Sequence, residues 1–286
     1  MNRPDDIRKT VSTSYAHAVE QTKAPGGSCC SGPAPEGVLT TLAGYSREAL
    51  ASLPADAVVN SFGCGNPVAL AEIREGDTVL DLGSGAGIDL LLAAKLVGPK
   101  GKVIGVDMTS AMIERARANA AAAGLANVEV LEGIIEDLPV ESDSVDFVVS
   151  NCVINLSPEK KRVFAELHRV LKTDGRFSIS DIVAEPMPRW IMAEGLLYSA
   201  CISGAIPEAE YLAGLREAGL VDLAVRDRLV YGYAELAGLL DSEAAGSCCC
   251  GSEALPKGQV KRIAEALAGK VASVRVVGRK PEAVLL

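Results

Sequence analysis

Val79 to Ala94 reads VLDLGSGAGIDLLLAA, and the fold turns on how that stretch is parsed. VLDL is short and apolar, GSGAG places glycine at every second position, and the leucines and alanines that follow are strong helix formers. The parse is strand, glycine turn, helix. Gly83, Gly85 and Gly87 let the backbone approach a ligand closely, and the helix opens with N–H groups that have no partner of their own. Asp107 closes the next strand, 24 positions after Gly83, well placed for the hydroxyls of a ribose. These residues describe a nucleoside site at the carboxyl edge of a sheet.

Outward from this motif the same alternation continues. The pattern predicts strands over 78–82, 102–107, 128–132, 145–150 and 176–181, with helices over 88–96, 110–123 and 158–171. Near-continuous apolar strands alternating with helices indicate an α/β fold, a mostly parallel Rossmann-like sheet covered by helices on both faces. Three regions are expected: an N-terminal helix and Cys-containing loop over 1–60, the nucleoside-binding domain over 61–183, and a smaller α+β region over 184–286. In the first, Val11, Tyr15 and Val19 recur at helical spacing. In the last, the pattern suggests helices over 187–206, 208–218 and 259–267 and strands over 223–231 and from Val271 onward.

Composition narrows the function. Against 28 basic residues stand 37 acidic ones, a formal charge of −9 with no basic face, which argues against nucleic acid as a partner. The opening residues are polar and acidic, without the apolar core of a signal peptide, and no apolar run is long enough to span a membrane. Eight cysteines in a long chain with helix and strand periodicity fit free thiols in a reducing cytoplasm better than a secreted disulfide framework. Low aromatic content carries no interface signal, and a monomer is expected. His17 and His168 match no metal or catalytic motif.

The glycine spacing is G-x-G-x-G rather than the dinucleotide G-x-G-x-x-G, and Asp81 stands two residues ahead of it. This resembles motif I of the class I S-adenosylmethionine-dependent methyltransferases, in which a carboxylate lies near the methionine end of the cofactor. GVDMTSAMIERAR then looks like their second motif. The resemblance implies a cofactor site made of Asp81, Gly83, Ser84, Gly85 and Gly87, with Asp107 on the ribose, Met108 against adenine, and Asn151 after the fourth strand. Many members carry an aspartate for the adenine amino group where this chain has Ile134, so that contact is expected from the backbone of Ile135 or from Glu136.

Three cysteines stand in comparable settings: Cys64 in SFGCGNP, Cys152 in SNCVINLS after the fourth strand, and Cys201 in YSACISGA. A lone cysteine is usually a small buried hydrophobe. Polar and glycine-flanked turns argue against burial of Cys152 and Cys64, whereas Cys201 beside Ala200 and Ile202 is the better candidate for it. Spacing alone does not bring the three together. Were they to converge near a sulfonium methyl, a soft, thiophilic centre of three-fold preference with a free lone pair would suit them, and trivalent arsenic fits that description.

SFGCGNPVALAEI, DLGSGAGIDLLLAA, VIGVDMTSAMIERAR, SNCVINLSPEK and CISGA together resemble the arsenite methyltransferase family. The resemblance implies methyl transfer from S-adenosylmethionine to arsenite or its thiol conjugates, with Cys64, Cys152 and Cys201 as arsenic ligands; Phe62 either helps to cover the sulfonium or anchors the preceding segment in the core. It also implies a redox step joined by an N-terminal cysteine, here Cys30, with thioredoxin or glutathione as the thiol reductant. Cys29 and Cys248 to Cys250 lie in Gly/Ser loops suited to arsenite capture or to disulfide exchange, or are dispensable. Two other readings stand beside this one: a class I methyltransferase of another small molecule such as a quinone, and an arsenic-binding protein without turnover.

Overall fold

The computed structural model describes residues 4–21, 45, 47–59, 72–192, 197, 201–245 and 257–282. In chain order these form α1 (Pro4–Gln21), α2 (Arg47–Ala51), α3 (Ala55–Val59), β1 (Thr78–Leu82), α4 (Ile88–Val97), β2 (Lys102–Asp107), α5 (Ser110–Ala122), β3 (Val128–Glu132) and β4 (Val145–Asn151). A 3-10 turn (Ile154–Leu156) leads to α6 (Lys160–Val170), β5 (Leu171–Ala184), α7 (Arg189–Met192), α8 (Glu208–Glu217), β6 (Val221–Val230), α9 (Tyr233–Ala245), α10 (Lys257–Leu267) and β7 (Val271–Arg279).

All seven strands join one sheet in the order β3-β2-β1-β4-β5-β7-β6. Strands β1 to β5 are parallel, and β7 runs antiparallel between β5 and β6. Residues 184–286 thus extend the sheet that residues 61–183 begin. From β1 the chain moves outward through β2 and β3, then returns to place β4 on β1's other side. A crevice opens where the order reverses, at the carboxyl ends of β1 and β4.

The strands hold because both their faces are covered. Val79, Leu80 and Leu82 of β1 are fully buried, as are Val148 and Val149 of β4. Each such side chain contributes about 1.5–3 kcal/mol on burial. In α4, Leu90, Leu91, Ala93, Ala94 and Val97 are buried, and the helix stops at Gly98, whose φ of 66° is open chiefly to glycine. Helix α6 buries Val163, Phe164, Leu167 and Val170 on one stripe, and Phe164 meets Tyr211 of α8 edge-on at 5.2 Å between ring centroids.

Several elements differ from the sequence pattern, among them the short α3. Strand β5 is longer than 176–181 because β7 pairs with it as far as Ala184 and β4 engages Leu171. The helix expected over 187–206 is not continuous. Cys201 adopts φ 59°, incompatible with a right-handed helix, the N–H groups of Ile202 and Ser203 both donate to Leu197 O at 2.9 Å, and Ile206 forms a bridge with Val183. Helix α9 was not anticipated; its Leu236 and Leu240 are buried in a cluster with Val260, Ile263 and Leu267 of α10.

Candidate active site

At the crevice lies a cavity of about 110 Å3. The glycine turn 83–87 lines its floor, Asp107 and Met108 one wall, Ile134 to Glu136 another, and Asn151 to Val153 the end of β4. Arg8, Val11 and Tyr15 of α1 lie over it. The structure therefore brings every cofactor residue expected from the sequence, Asp81, Gly83, Ser84, Gly85, Gly87, Asp107, Met108, Ile135, Glu136 and Asn151, to one cavity.

The floor is shaped by what its glycines lack. Gly83 has φ 64°, and a Cβ there would lie 2.3 Å from Val153 Cγ2. At Gly85, with φ 51°, a Cβ would meet nothing within 4 Å, and its N–H donates to Asp107 Oδ2 at 2.9 Å. Asp107 Oδ1 accepts from the N–H of Thr109 at 2.8 Å. Burial pushes the Asp107 carboxyl above its ordinary range, and the N–H groups of Thr109 and Gly85 pull it back. The result is a fixed acceptor at the end of β2, as a ribose diol requires.

Two buried polar atoms point to what the cavity takes. Asp81 Oδ2 and Ser84 Oγ have no hydrogen-bond partner among the described residues, and both residues line the cavity. Most buried polar atoms pair with protein, ordered water or a ligand, so two orphans lining one cavity suit a ligand there. With an acceptor set for a ribose and an orphan carboxylate beyond the glycine turn, the donor set fits S-adenosylmethionine, a nucleoside with a cationic amino-acid end.

Helix α1 is fastened over this cavity by charge. Arg8 donates from Nε and Nη2 to Glu136 Oε1 at 3.2 and 3.1 Å, and also pairs with Glu159. Ser157 Oγ donates to the same Glu136 oxygen at 2.6 Å. Glu136 thus ties α1 to the cavity wall. Further along α1, Val19 O accepts from Arg115 of α5 at 2.5 Å.

Cys152 follows β4 with φ 55°, donates its N–H to Ser180 O at 2.9 Å, and lines the cavity. Contrary to the expectation from its polar turn, it is buried, at 5% exposure; Val11 of α1, Leu156 and Ile182 belong to the same apolar cluster. Cys201, also buried, donates its thiol to Cys152 O at 2.7 Å. Two cysteines from loops after β4 and β5 therefore meet. Cys152 is disulfide-bonded. Cys64, Phe62, Cys29, Cys30 and Cys248 to Cys250 lie outside the described residues.

Beneath the Cys201 turn is a buried polar group that the sequence reading passed over. Asp181 of β5 accepts from Asn155 Nδ2 at 2.9 Å, from the N–H of Ile182 at 2.9 Å and from Tyr211 OH at 3.1 Å. Burial pushes its carboxyl up to about 7. Burial likewise lowers the Lys160 ammonium, on which Asp181 and Cys201 both act electrostatically. The available signal was an acid inside the apolar run SISDIV. Asp89, Tyr45 and Arg8 were also missed; Asp89 alone carried a local signal, an acid in the first turn after the glycines. No described cluster holds three or more metal-ligating groups, and no described helix is long and apolar enough to cross a membrane.

Comparison with known proteins agrees with this geometry. Residues 73–229 match a family described as a methyltransferase domain. An arsenite methyltransferase of Halobacterium salinarum is 47% identical over 204 residues, 70% of this chain and 52% of that protein. The Homo sapiens arsenite methyltransferase is 33% identical over 217 residues, 71% of this chain and 55% of its own length. The chain thus spans about half the length of these curated relatives. The crystal structure of an arsenic(III) S-adenosylmethionine methyltransferase from Chlamydomonas reinhardtii superposes with a TM-score of 0.65 at 33% identity, covering 82% of this chain and 73% of that one. With the matched domain, the seven-stranded sheet and a relative of known structure 33% identical over 73% of its length, the chain belongs to the arsenite methyltransferase family of S-adenosylmethionine-dependent methyltransferases.

Proposed function

We propose that this chain methylates trivalent arsenic held by Cys64, Cys152 and Cys201. The observation that supports it best is the meeting of Cys152 and Cys201 at the carboxyl end of the sheet, with Cys152 on the wall of the cofactor cavity. Both cysteines adopt left-handed backbone conformations. A non-glycine residue there costs of order 1–3 kcal/mol, and such strain concentrates at functional sites.

Once thioredoxin or glutathione has reduced the Cys152 disulfide, arsenite enters by ligand exchange. Each thiol gives its proton to a departing hydroxide, so three As–S bonds replace three As–O bonds and three waters leave. The lone pair stays on arsenic. When bound, S-adenosylmethionine supplies an electrophilic methyl group on a sulfonium centre. Asp107, Asp81 and the glycine turn hold the cofactor, while α1 and the apolar residues around Cys152 exclude water. Positioning is the main contribution of the protein, since the methyl is already activated and no proton moves in the transfer.

Transfer leaves arsenic pentavalent. Its return to the trivalent state takes two electrons, which a pair of site thiols supplies by forming a disulfide, with thioredoxin or glutathione reducing that bond afterwards. Cys152 as a disulfide-bonded residue suits this role, and Cys30 is the candidate from the N-terminal loop.

Arsenic K-edge absorption on the reduced, arsenite-loaded chain tests the ligand set. Three sulfur neighbours are expected, with Cys201→Ser replacing one of them by oxygen. An unchanged sulfur shell in that variant would remove Cys201 from the site.

A further inference from the structure

The two cysteine turns share one neighbour, Asn155, in the 3-10 turn that follows Cys152. Asn155 is fully buried. Its Nδ2 donates to Asp181 Oδ1 at 2.9 Å and to Ile182 O at 2.5 Å, both on β5, and Asp181 Oδ2 accepts from Tyr211 OH of α8 at 3.1 Å. Its main-chain oxygen meets the Cys201 turn, where a Cβ on Gly204 would fall 2.0 Å from it. Lys160 Nζ donates to the same oxygen at 3.4 Å and to Ser157 O at 3.1 Å.

Gly204 serves closeness rather than conformation. Its φ lies outside the left-handed region, so its backbone would accept another residue, whereas the contact with Asn155 would not. Asn155 does not line the cofactor cavity, although Val153, Leu156 and Ser157 around it do. Its Oδ1 has no hydrogen-bond partner among the described residues, a cost that an apolar side chain would avoid. What the asparagine supplies is the pair of donor bonds that lock the Cys152 turn to β5. The Cys152 N–H, on Ser180 O at 2.9 Å, locks the same turn from its other side. The Cys201 turn is then seated on this fixed one, by Gly204 against Asn155 and by the Cys201 thiol on Cys152 O.

We propose that Asn155 is a positioning residue for the two thiols: held by Asp181 and Ile182, and closely approached by Gly204, it sets the span between the sulfurs of Cys152 and Cys201. The proposal rests on the reading of that pair as ligands of trivalent arsenic. Two As–S bonds to one arsenic fix the separation of their sulfurs, and a binding constellation tolerates only about 0.5 Å of misplacement. Loosening or wedging the two turns therefore weakens arsenic binding and spares the cofactor.

Phenylarsine oxide tests the span, because its arsenic keeps one As–C bond and takes only two thiolates, forming two As–S bonds and releasing one water. The parent for the test is the full chain with serine in place of Cys29, Cys30, Cys64, Cys248, Cys249 and Cys250, reduced with a phosphine, so that Cys152 and Cys201 are the thiols left. Equilibrium dialysis with arsenic counted by mass detection gives the affinity, and calorimetry with S-adenosylhomocysteine reports folding and the cofactor cavity. The parent should bind one equivalent of phenylarsine oxide. Gly204→Ala and Asn155→Ser should each weaken it at least about tenfold. Tyr211→Phe, which removes the outermost bond and keeps the ring, should weaken it about threefold. S-adenosylhomocysteine affinity should stay within a few-fold in all three. If Gly204→Ala does not fold, Asn155→Ser and Tyr211→Phe decide. Unchanged phenylarsine oxide affinity in Asn155→Ser, or a parallel loss of S-adenosylhomocysteine affinity, would overturn the proposal. A parent that binds S-adenosylhomocysteine but not phenylarsine oxide would overturn it together with the thiol pair.

Discussion

Gly85 and Asp107, which share a hydrogen bond at the cofactor end of the cavity, are 22 positions apart along a single β-α-β unit. Cys152 and Cys201, which meet at the thiol end, are 49 positions apart on loops after different strands. At the first end, local chain chemistry makes the site: glycines with positive φ, a helix start, and an acid at the tip of the next strand. At the second end, the site exists only because β4 and β5 are neighbours and because two cysteines accept left-handed backbone. One end is written in a motif and the other in a topology. The two should therefore fail separately under mutation.

The largest separation is expected from the thiols. Cys152→Ser or Cys201→Ser should abolish arsenite methylation while S-adenosylhomocysteine affinity, measured by calorimetry, stays within a few-fold of wild type. Substantial turnover by either variant would dissolve the distinction. The mirror experiment is Asp81→Ala. Removing this buried carboxylate should weaken cofactor binding by about 10- to 100-fold, with arsenite binding to the reduced chain, followed by tryptophan quenching or equilibrium dialysis, unchanged.

A smaller effect should come from the roof. Arg8→Ala breaks the ties from α1 to Glu136 and Glu159, pairs that are partly exposed and so worth little individually. Cofactor release, followed by stopped-flow displacement, should quicken about fivefold, and the wild-type rate should approach the variant's as salt rises. Equal rates at low salt would mean that α1 does not close the cavity.

The smallest effect concerns Asp181, beneath the Cys201 turn. Its folded-state value of about 7 lies above the ordinary 3.8. Between these values the folded chain holds a proton that the unfolded chain has lost, so this group's contribution is fully present below pH 3.8 and is lost as pH rises through 7. Denaturant unfolding of wild type and Asp181→Asn from pH 4 to 7 should show a shallower decline in the variant. The difference should be at most about 1.4 kcal/mol per pH unit. Parallel profiles would mean that the Asp181 carboxyl is ionised in the folded chain.

How much of this was legible in the sequence follows the same division. Strands β1, β2 and β3 stand where the apolar runs placed them, and the residues expected to hold the cofactor share one cavity. Periodicity sees such features because each is made within a few residues. It does not see Asp89 as a site residue, because the partners that fix it, Tyr45 and Asn151, stand 44 and 62 positions away. It placed a helix through Cys201 because MAEGLLYSA is helix-like in composition, whereas packing of the following turn decides otherwise: a Cβ on Gly204 would fall 2.0 Å from Asn155 O. It also read Cys152 as exposed from its polar neighbours, since the apolar cover comes from α1 and from beyond β5.

The most direct measurement is arsenic speciation, by chromatography coupled to mass detection, after the purified chain is incubated with arsenite, S-adenosylmethionine and excess thiol. The account predicts methylated arsenic from the wild-type chain and none from Cys152→Ser. Methylated product in equal amount from both, or none from a wild-type chain that binds arsenite and cofactor, would contradict it.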